Sequence, residues 1–349
     1  MANAFITRRS GSGYATVKIE NNSSLALPKH EIAPDLSMGR ARLAATAVGN
    51  YALFGEGDDG GYSSSRVDAY GRTLTRSTPT ALSVARYGLA ATAVGNYALF
   101  GGGYSYSSGS YNCHSTVDAY NSSLTRSTVT ALSDAKFDLP ATTLGNYAIF
   151  AGGRDRSGKY SSVDAYNSSL TRSTATSLSE ARYWFAATTV GDYALFGGGN
   201  DKSSTVDAYS RTLTRSTPTA LSEGRYWLAA TALGDYVFFG GGSSGNTSSV
   251  VEIYNSSLTR SIAPALSEAR DCLAATKVGE YALFGGGQGN NYSSTVDEYD
   301  FNANFVVYKN SKYKFQNMPK EVTVTSDMET ISIPTPATGY IKFQNTTIS

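Results

Sequence analysis

The sequence predicts an all-β fold: a propeller of six four-stranded blades around a common axis. Three observations predict it. One unit recurs six times along the 349 residues, each copy reads as four short strands separated by turn residues, and helical periodicity is absent. The unit begins Leu-Ser-x-x-Arg-x-x-Leu-Ala-Ala-Thr-x-Val-Gly-x-Tyr-Ala-Leu-Phe-Gly-Gly-Gly, as in residues 82–103. Its tyrosine falls at Tyr51, Tyr97, Tyr147, Tyr193, Tyr236 and Tyr281, at intervals of 46, 50, 46, 43 and 45 residues. Four strands per unit and a period in the forties describe propeller blades, since one such sheet cannot bury its own faces and must stack on a neighbour.

Within the second copy the first strand is read as Leu89 to Val94 and the second as Tyr97 to Phe100, ending in Gly101-Gly102-Gly103. Thr116 to Tyr120 is the third strand and Leu124 to Thr128 the fourth. Gly95-Asn96 and Asn121-Ser122-Ser123 supply the turns. The second strand is apolar on both faces, as burial between two packed sheets requires.

These units resemble the kelch repeat. The glycine pairs Gly102-Gly103, Gly152-Gly153 and Gly198-Gly199 match the kelch double glycine. Tyr70, Tyr120, Tyr166, Tyr209, Tyr254 and Tyr299, closing the third strands, match its tyrosine. The kelch tryptophan of the fourth strand is missing, and Leu74, Leu124, Leu170, Leu213 and Leu258 sit nearby instead. The resemblance spans roughly residues 25–300. It implies a divergent six-bladed kelch-type propeller, a fold that serves mostly as a binding platform and occasionally as an enzyme.

Composition narrows the function classes. Lys plus Arg total 29 against 28 Asp plus Glu, so no global field draws the chain to nucleic acid or to an anionic membrane. No apolar run reaches the length of a membrane-spanning helix, and the opening MANAFITRR lacks the apolar core of a signal peptide. The expected place of synthesis is the cytoplasm. Cys113 and Cys272 form no CxxC pair and imply no disulfide framework. His30 and His114 are the only histidines, too few for a histidine metal site or for the copper oxidases that share this fold. No cofactor is expected. The glycine runs lack the Lys-Ser/Thr of a phosphate loop, and the Asn-x-Ser triplets at Asn121, Asn167 and Asn255 fall in hairpin turns.

The domain reading is an N-terminal β arm at 1–24, the propeller at 25–300 and a small C-terminal β appendage at 301–349. EIAPDLS at 31–37 parallels SIAPALS at 261–267, which ends a fourth strand. Residues 25–35 are therefore expected to complete the sixth blade and close the ring, removing an open sheet edge. The rival closing strand is 305–308. The appendage reads as strands at 312–315, 321–325, 330–333 and 340–343, with 14–19 as a candidate partner.

Six copies in one chain permit an internal comparison. Two places vary most. One is the pair after a basic residue: Ala41-Arg42, Tyr87-Gly88, Phe137-Asp138, Tyr183-Trp184, Tyr226-Trp227 and Asp271-Cys272. The other is the loop between second and third strands, longest at 104–115 with Tyr104, Tyr106 and Tyr111. In an antiparallel meander these places emerge at one end of the blade, so the variable positions are expected to share one face. The expected binding residues are Tyr87, Phe137, Tyr183, Trp184, Tyr226, Trp227, Arg42, Asp138, Asp271, Tyr104, Tyr106 and Tyr111. Rigid amphipathic rings among Ser, Gly and Asn suit a glycan or a protein partner.

Two recurring charge sets complete the reading. Arg40, Arg86, Lys136, Arg182, Arg225 and Arg270 precede each first strand. They are either a cationic ring at the channel mouth or, the favoured reading, structural groups bonded to loop carbonyls and nearby acids. The acids Asp68, Asp118, Asp164, Asp207 and Glu252 are expected to face Arg76, Arg126, Arg172, Arg215 and Arg260 across the outer hairpins. No catalytic residue is assigned. The function expected is a non-catalytic recognition module with one aromatic face for a glycan or protein. The N-terminus is similar to tail-associated proteins of phages and prophages of gut bacteria, which implies a host-surface partner and ends docked to a particle. The alternative is an enzyme resembling the kelch-type sialic-acid mutarotases, acting at the channel mouth.

Overall fold

The computed structural model describes residues 34–58, 62–107 and 110–300, together with short strand segments nearer the two ends. Among the described residues the chain is all β with no helix. Residues 32–298 form one compact unit, a six-bladed β-propeller. Blades 1 to 5 are four-stranded antiparallel meanders, and blade 6 has three described strands, Ala274–Val278, Tyr281–Gly285 and Val296–Tyr299.

Blade 2 shows why the sequence folds this way. Its strands are Ala90–Val94, Tyr97–Gly101, Val117–Asn121 and Arg126–Val129. Gly95, at φ 54°, turns the first hairpin. Leu99, Phe100, Val117 and Ala119 are fully buried because the two middle strands are covered on both faces by the neighbouring blades. Phe100 meets Tyr120 edge to face at 5.9 Å, and the same pair recurs in blades 1, 3, 4 and 5 at 5.7 to 5.9 Å. Blades stack ring on glycine: a Cβ at Gly101 would meet Phe150 of blade 3 at 2.9 Å. Gly55, Gly197 and Gly240 meet Phe100, Phe239 and Phe284 of the next blade in the same way. Gly285 of blade 6 meets Val296 of its own blade instead, at 3.4 Å, and Val278 and Val296 are exposed.

The tyrosine closing each third strand also ties blade to blade. Tyr120 donates its hydroxyl to Thr80 O at 2.7 Å, on the segment leaving blade 1, and Tyr166, Tyr209 and Tyr254 repeat the bond to Thr130, Thr176 and Thr219. Tyr70 makes it to Pro34. Pro34 thus occupies the place a residue leaving a preceding fourth strand holds elsewhere. Of the expected closing strand, 34 and 35 are not in a strand, and 25–33 lie outside the described residues. Tyr166→Phe is expected to lower stability by about 1–2 kcal/mol, because it leaves the Thr130 carbonyl unpaired in a part-buried site. Chemical denaturation checks this, and an unchanged midpoint would show that water replaces the hydroxyl.

The outer hairpin departs from the expected register. Tyr120 faces Arg126 and Asp118 faces Thr128, two residues further than a three-residue loop gives. The Asn121 side-chain oxygen accepts the amides of Ser123 and Thr125. This makes a wider turn and carries Leu124 to φ 60°. The fourth strand therefore starts at Arg126. Asn167 and Asn255 turn their hairpins alike. Leu124, Leu170, Leu213 and Leu258 then pack against the adjoining blade's core.

A second unit comprises 1–31 and 299–349. Its described strands pair Arg8–Ser10 with Gly13–Ala15, Asn302–Val306 with Thr330–Pro334, and Lys312–Phe315 with both Glu321–Thr323 and Phe343–Asn345. The rival closing strand thus has Thr330–Pro334 as its described partner, and Gly13–Ala15 has Arg8–Ser10; 16–19 of the candidate partner strand lie outside the described residues.

Candidate functional site

The linker that enters each blade ends in the variable pair, and the two members of the pair do different jobs. The first member bridges the residue that follows the glycine pair. Ala41 bridges Asp58, Tyr87 bridges Tyr104, Phe137 bridges Arg154, Tyr226 bridges Ser243 and Asp271 bridges Gln288. In blade 4 the Asn200 amide donates to Tyr183 O at 2.9 Å. The variable pair and the start of the variable loop therefore lie side by side at one end of every blade.

The second member turns toward the axis. Arg42, Gly88, Asp138, Trp184, Trp227 and Cys272 all adopt the left-handed conformation, with φ between 52° and 69°. Their backbones are linked across the blades: Asp138 N donates to Gly88 O, Trp184 N to Asp138 O, Trp227 N to Trp184 O and Cys272 N to Trp227 O. Glycine takes this conformation without strain, and blade 2 uses it. Five blades instead hold an Arg, an Asp, two Trp and a Cys at a cost of about 1 kcal/mol or more each. The same conformation recurs at Leu74, Leu124, Leu170, Leu213 and Leu258 in the outer hairpins, where the residue is constant; at the axial position the residue type changes from blade to blade.

These residues line a pocket of about 540 Å³ with Leu43, Tyr87, Tyr104 and Arg154, so all six blades contribute. Trp184 and Trp227 lie 4.5 Å apart between ring centres, and Tyr183 and Tyr226 buttress them at 4.6 and 4.8 Å. On the opposite side Tyr104 stacks on Tyr87 at 4.1 Å and on Phe137 at 4.4 Å. Tyr87 and Phe137 are buried, so they serve mainly as supports. Tyr106 and Tyr111 are exposed on a two-stranded hairpin, Tyr104–Ser107 with Ser110–Cys113, that the long blade 2 loop forms. Asp271 pairs with Gln288 and is not among the residues lining the pocket.

Arg154 is central to the electrostatics. Its Nε donates to Asp138 Oδ2 at 2.8 Å, and its guanidinium lies 4.6 to 4.8 Å from the ring centres of Phe137, Tyr183 and Trp184. Burial raises the Asp138 carboxyl above its ordinary value, against the opposing pull of Arg154 and of the Trp184 side chain. Burial, together with the hydroxyl and charge of Tyr87, pushes Tyr104 well up. Cys272 is pushed up to about 11 by burial and then by Asp271. Both move away from neutrality. Arg42 reaches solvent, with Asp58 at 3.8 Å.

The recurring basic residues form no cationic ring at the mouth. Arg40, Arg86, Lys136, Arg182, Arg225 and Arg270 have side chains at most 1 % exposed. Arg86 Nη2 donates to Phe100 O and to Asp118 Oδ2 at 2.9 Å. Asp118 also accepts from the Ser83 amide and hydroxyl and from Arg126 Nη1. One buried carboxylate thus clamps the incoming linker and the outer strands, and the same contact recurs with Asp68, Asp207, Glu252 and Asp297. Lys136 binds Ser162 and stands 3.5 Å from Asp164. A buried cation needs such a partner, which is why the set recurs in every blade.

Other candidates resolve simply. His114 bonds Ser105 Oγ at 2.8 Å through Nε2, and burial lowers its basicity. Cys113 and Cys272 are free thiols. Among the described residues no group of three or more His, Cys, Asp or Glu is placed to hold a metal. Sequence reasoning missed Arg154 and Glu56. Both could have been found by comparing the copies at the glycine run: Arg154 is the one basic residue directly after the pair, and Glu56 replaces the first glycine of the pair in blade 1. The sequence matches no known protein-family model, and a comparison with curated proteins likewise finds no match.

Proposed function

We propose that the chain is a recognition module that takes a ring-bearing ligand, a glycan for preference, in the six-sided pocket at the mouth of its axis. One observation carries this reading: five residue types occupy the same left-handed backbone position in the six blades, and all six residues line one pocket. Paired indoles and a stacked tyrosine offer faces for sugar rings, and a few fixed polar groups give orientation. A divergent kelch-type propeller and a host-surface receptor role at a phage tail fit the same chemistry; the first rests on the repeat motif, the second on the opening MANAFITRR alone.

The second reading, a sugar-modifying enzyme, is favoured by one feature. Asp138 is an acid of raised pKa inside a pocket. Acid–base catalysis needs a partner for it, and Tyr104 and Cys272 are both shifted away from neutrality, so neither is suited to act as a base at neutral pH.

The test is a binding screen of the whole chain against arrayed glycans and bacterial surfaces, followed by the double variant Trp184→Ala, Trp227→Ala. Affinity for the strongest glycan found should fall at least about tenfold, or ~1.4 kcal/mol. Equal affinity in the double variant would end the proposal. Conversion of a bound sugar, lost in Asp138→Asn, would favour the enzyme.

A further inference from the structure

We infer that the axial pocket selects an acidic sugar, a pyranoside of the uronic-acid type, through the guanidinium of Arg154; this rests on the pocket being the ligand site. Arginine is a bidentate fork for carboxylates, and its cost as a binder is the freezing of a long side chain. Here that cost is met within the fold. Asp138 holds Nε at 2.8 Å, and three aromatic faces hold the plane. Only Nε is engaged: neither Nη makes a hydrogen bond among the described residues, although the side chain is 31 % exposed and lines the pocket. Two parallel N–H donors thus stand free beside Trp184, whose neighbour Trp227 extends the stacking surface.

The charged side chains lining the pocket sum to one positive charge. Among its lining residues Arg42 and Arg154 stand against Asp138 alone, and Asp138 already accepts from Arg154. Each arginine has a carboxylate partner, Asp58 at 3.8 Å from Arg42 and Asp138 at 2.8 Å from Arg154; what sets Arg154 apart is a guanidinium plane held by three rings, where Arg42 is a largely exposed side chain. A sugar ring on Trp184 would bring a ring carboxylate to the free Nη pair. A neutral sugar would leave those donors to water and lose a charge-assisted pair of bonds.

The experiment is calorimetry of the full chain with tri- to hexasaccharides of hexuronic acids, each beside its own methyl ester, and with a polyglutamate peptide. The acids are expected to bind at least about tenfold more tightly than their esters, with an affinity that falls as salt rises. In Arg154→Gln the acid-to-ester ratio should collapse toward one, and Arg154→Lys, which keeps the charge without the fork, should recover only part of it. Arg42→Gln changes an exposed side chain and should lower the ratio less. Acid and ester bound alike, or a ratio unchanged in Arg154→Gln, would overturn the inference while leaving the pocket as a glycan site. Binding of the peptide with every saccharide silent would overturn it in favour of an acidic protein partner. Binding of the acids at full strength in the Trp184→Ala, Trp227→Ala variant would overturn both the inference and the reading beneath it.

Discussion

Asp118→Ala should lower the stability of the propeller by about 3–5 kcal/mol, the largest effect expected of any single substitution considered. The carboxylate is wholly buried and gathers Arg86, Arg126 and the amide and hydroxyl of Ser83. Its removal leaves the Arg86 guanidinium buried with only the Phe100 and Val84 carbonyls as acceptors. An uncompensated buried cation is far more costly than a lost surface pair. The matching variant Arg126→Ala separates the two effects: Arg126 is 23 % exposed, and the carboxylate keeps Arg86, so about 1 kcal/mol or less is expected. Denaturant unfolding of both variants checks the contrast. Equal losses would mean that Arg86 is as solvated as Arg126.

Glu56→Gly should stabilise the fold, by about 1–2 kcal/mol. Glu56 is fully buried at φ 64°, and neither carboxylate oxygen has a hydrogen-bond partner among the described residues. Blades 2 to 6 place glycine there. The variant removes a left-handed non-glycine residue and an unpartnered carboxyl, against a smaller loss from the freer unfolded glycine. The pH dependence has a definite sign. Burial raises the Glu56 pKa well above 4.5, against the opposing charge of Arg86. The folded protein then holds a proton that the unfolded chain releases above about pH 4.5, so this group's contribution to stability falls as pH rises toward the folded value. Glu56→Gln should match the parent near pH 4 and exceed it increasingly as the pH rises from there toward the folded pKa of Glu56. A constant difference between the two would show that Glu56 is not the titrating group.

The strand order of each blade was legible because Tyr-Ala-Leu-Phe is apolar on both faces and Gly-Asn turns stand between strands. Repetition made the six blades legible as well. The outer register was not, since Asn121 widens its turn through side-chain bonds and sends Leu124 left-handed, a choice no periodicity encodes. The variable pair could be seen as variable. Its division into a bridging residue and an axial residue could not, because the left-handed turn at the second member is taken by Arg, Asp, Trp and Cys alike and so is not encoded by residue type. The partner of Arg86 was hidden for another reason: Asp118 lies 32 residues away, beyond the nearby acids that sequence reasoning considered. Arg154 was missed because its importance lies in three rings contributed by two other linkers.

Trp184 and Trp227 are the chain's only tryptophans, so emission excited beyond the absorption of its 25 tyrosines reports on the mouth of the axis alone. Titration of that emission with the strongest glycan from the binding screen tests the account most directly. A saturating change in emission, reduced acrylamide quenching and a dissociation constant equal to the calorimetric one are expected. Saturating ligand that leaves both emission and quenching unchanged would place recognition elsewhere on the molecule and contradict it.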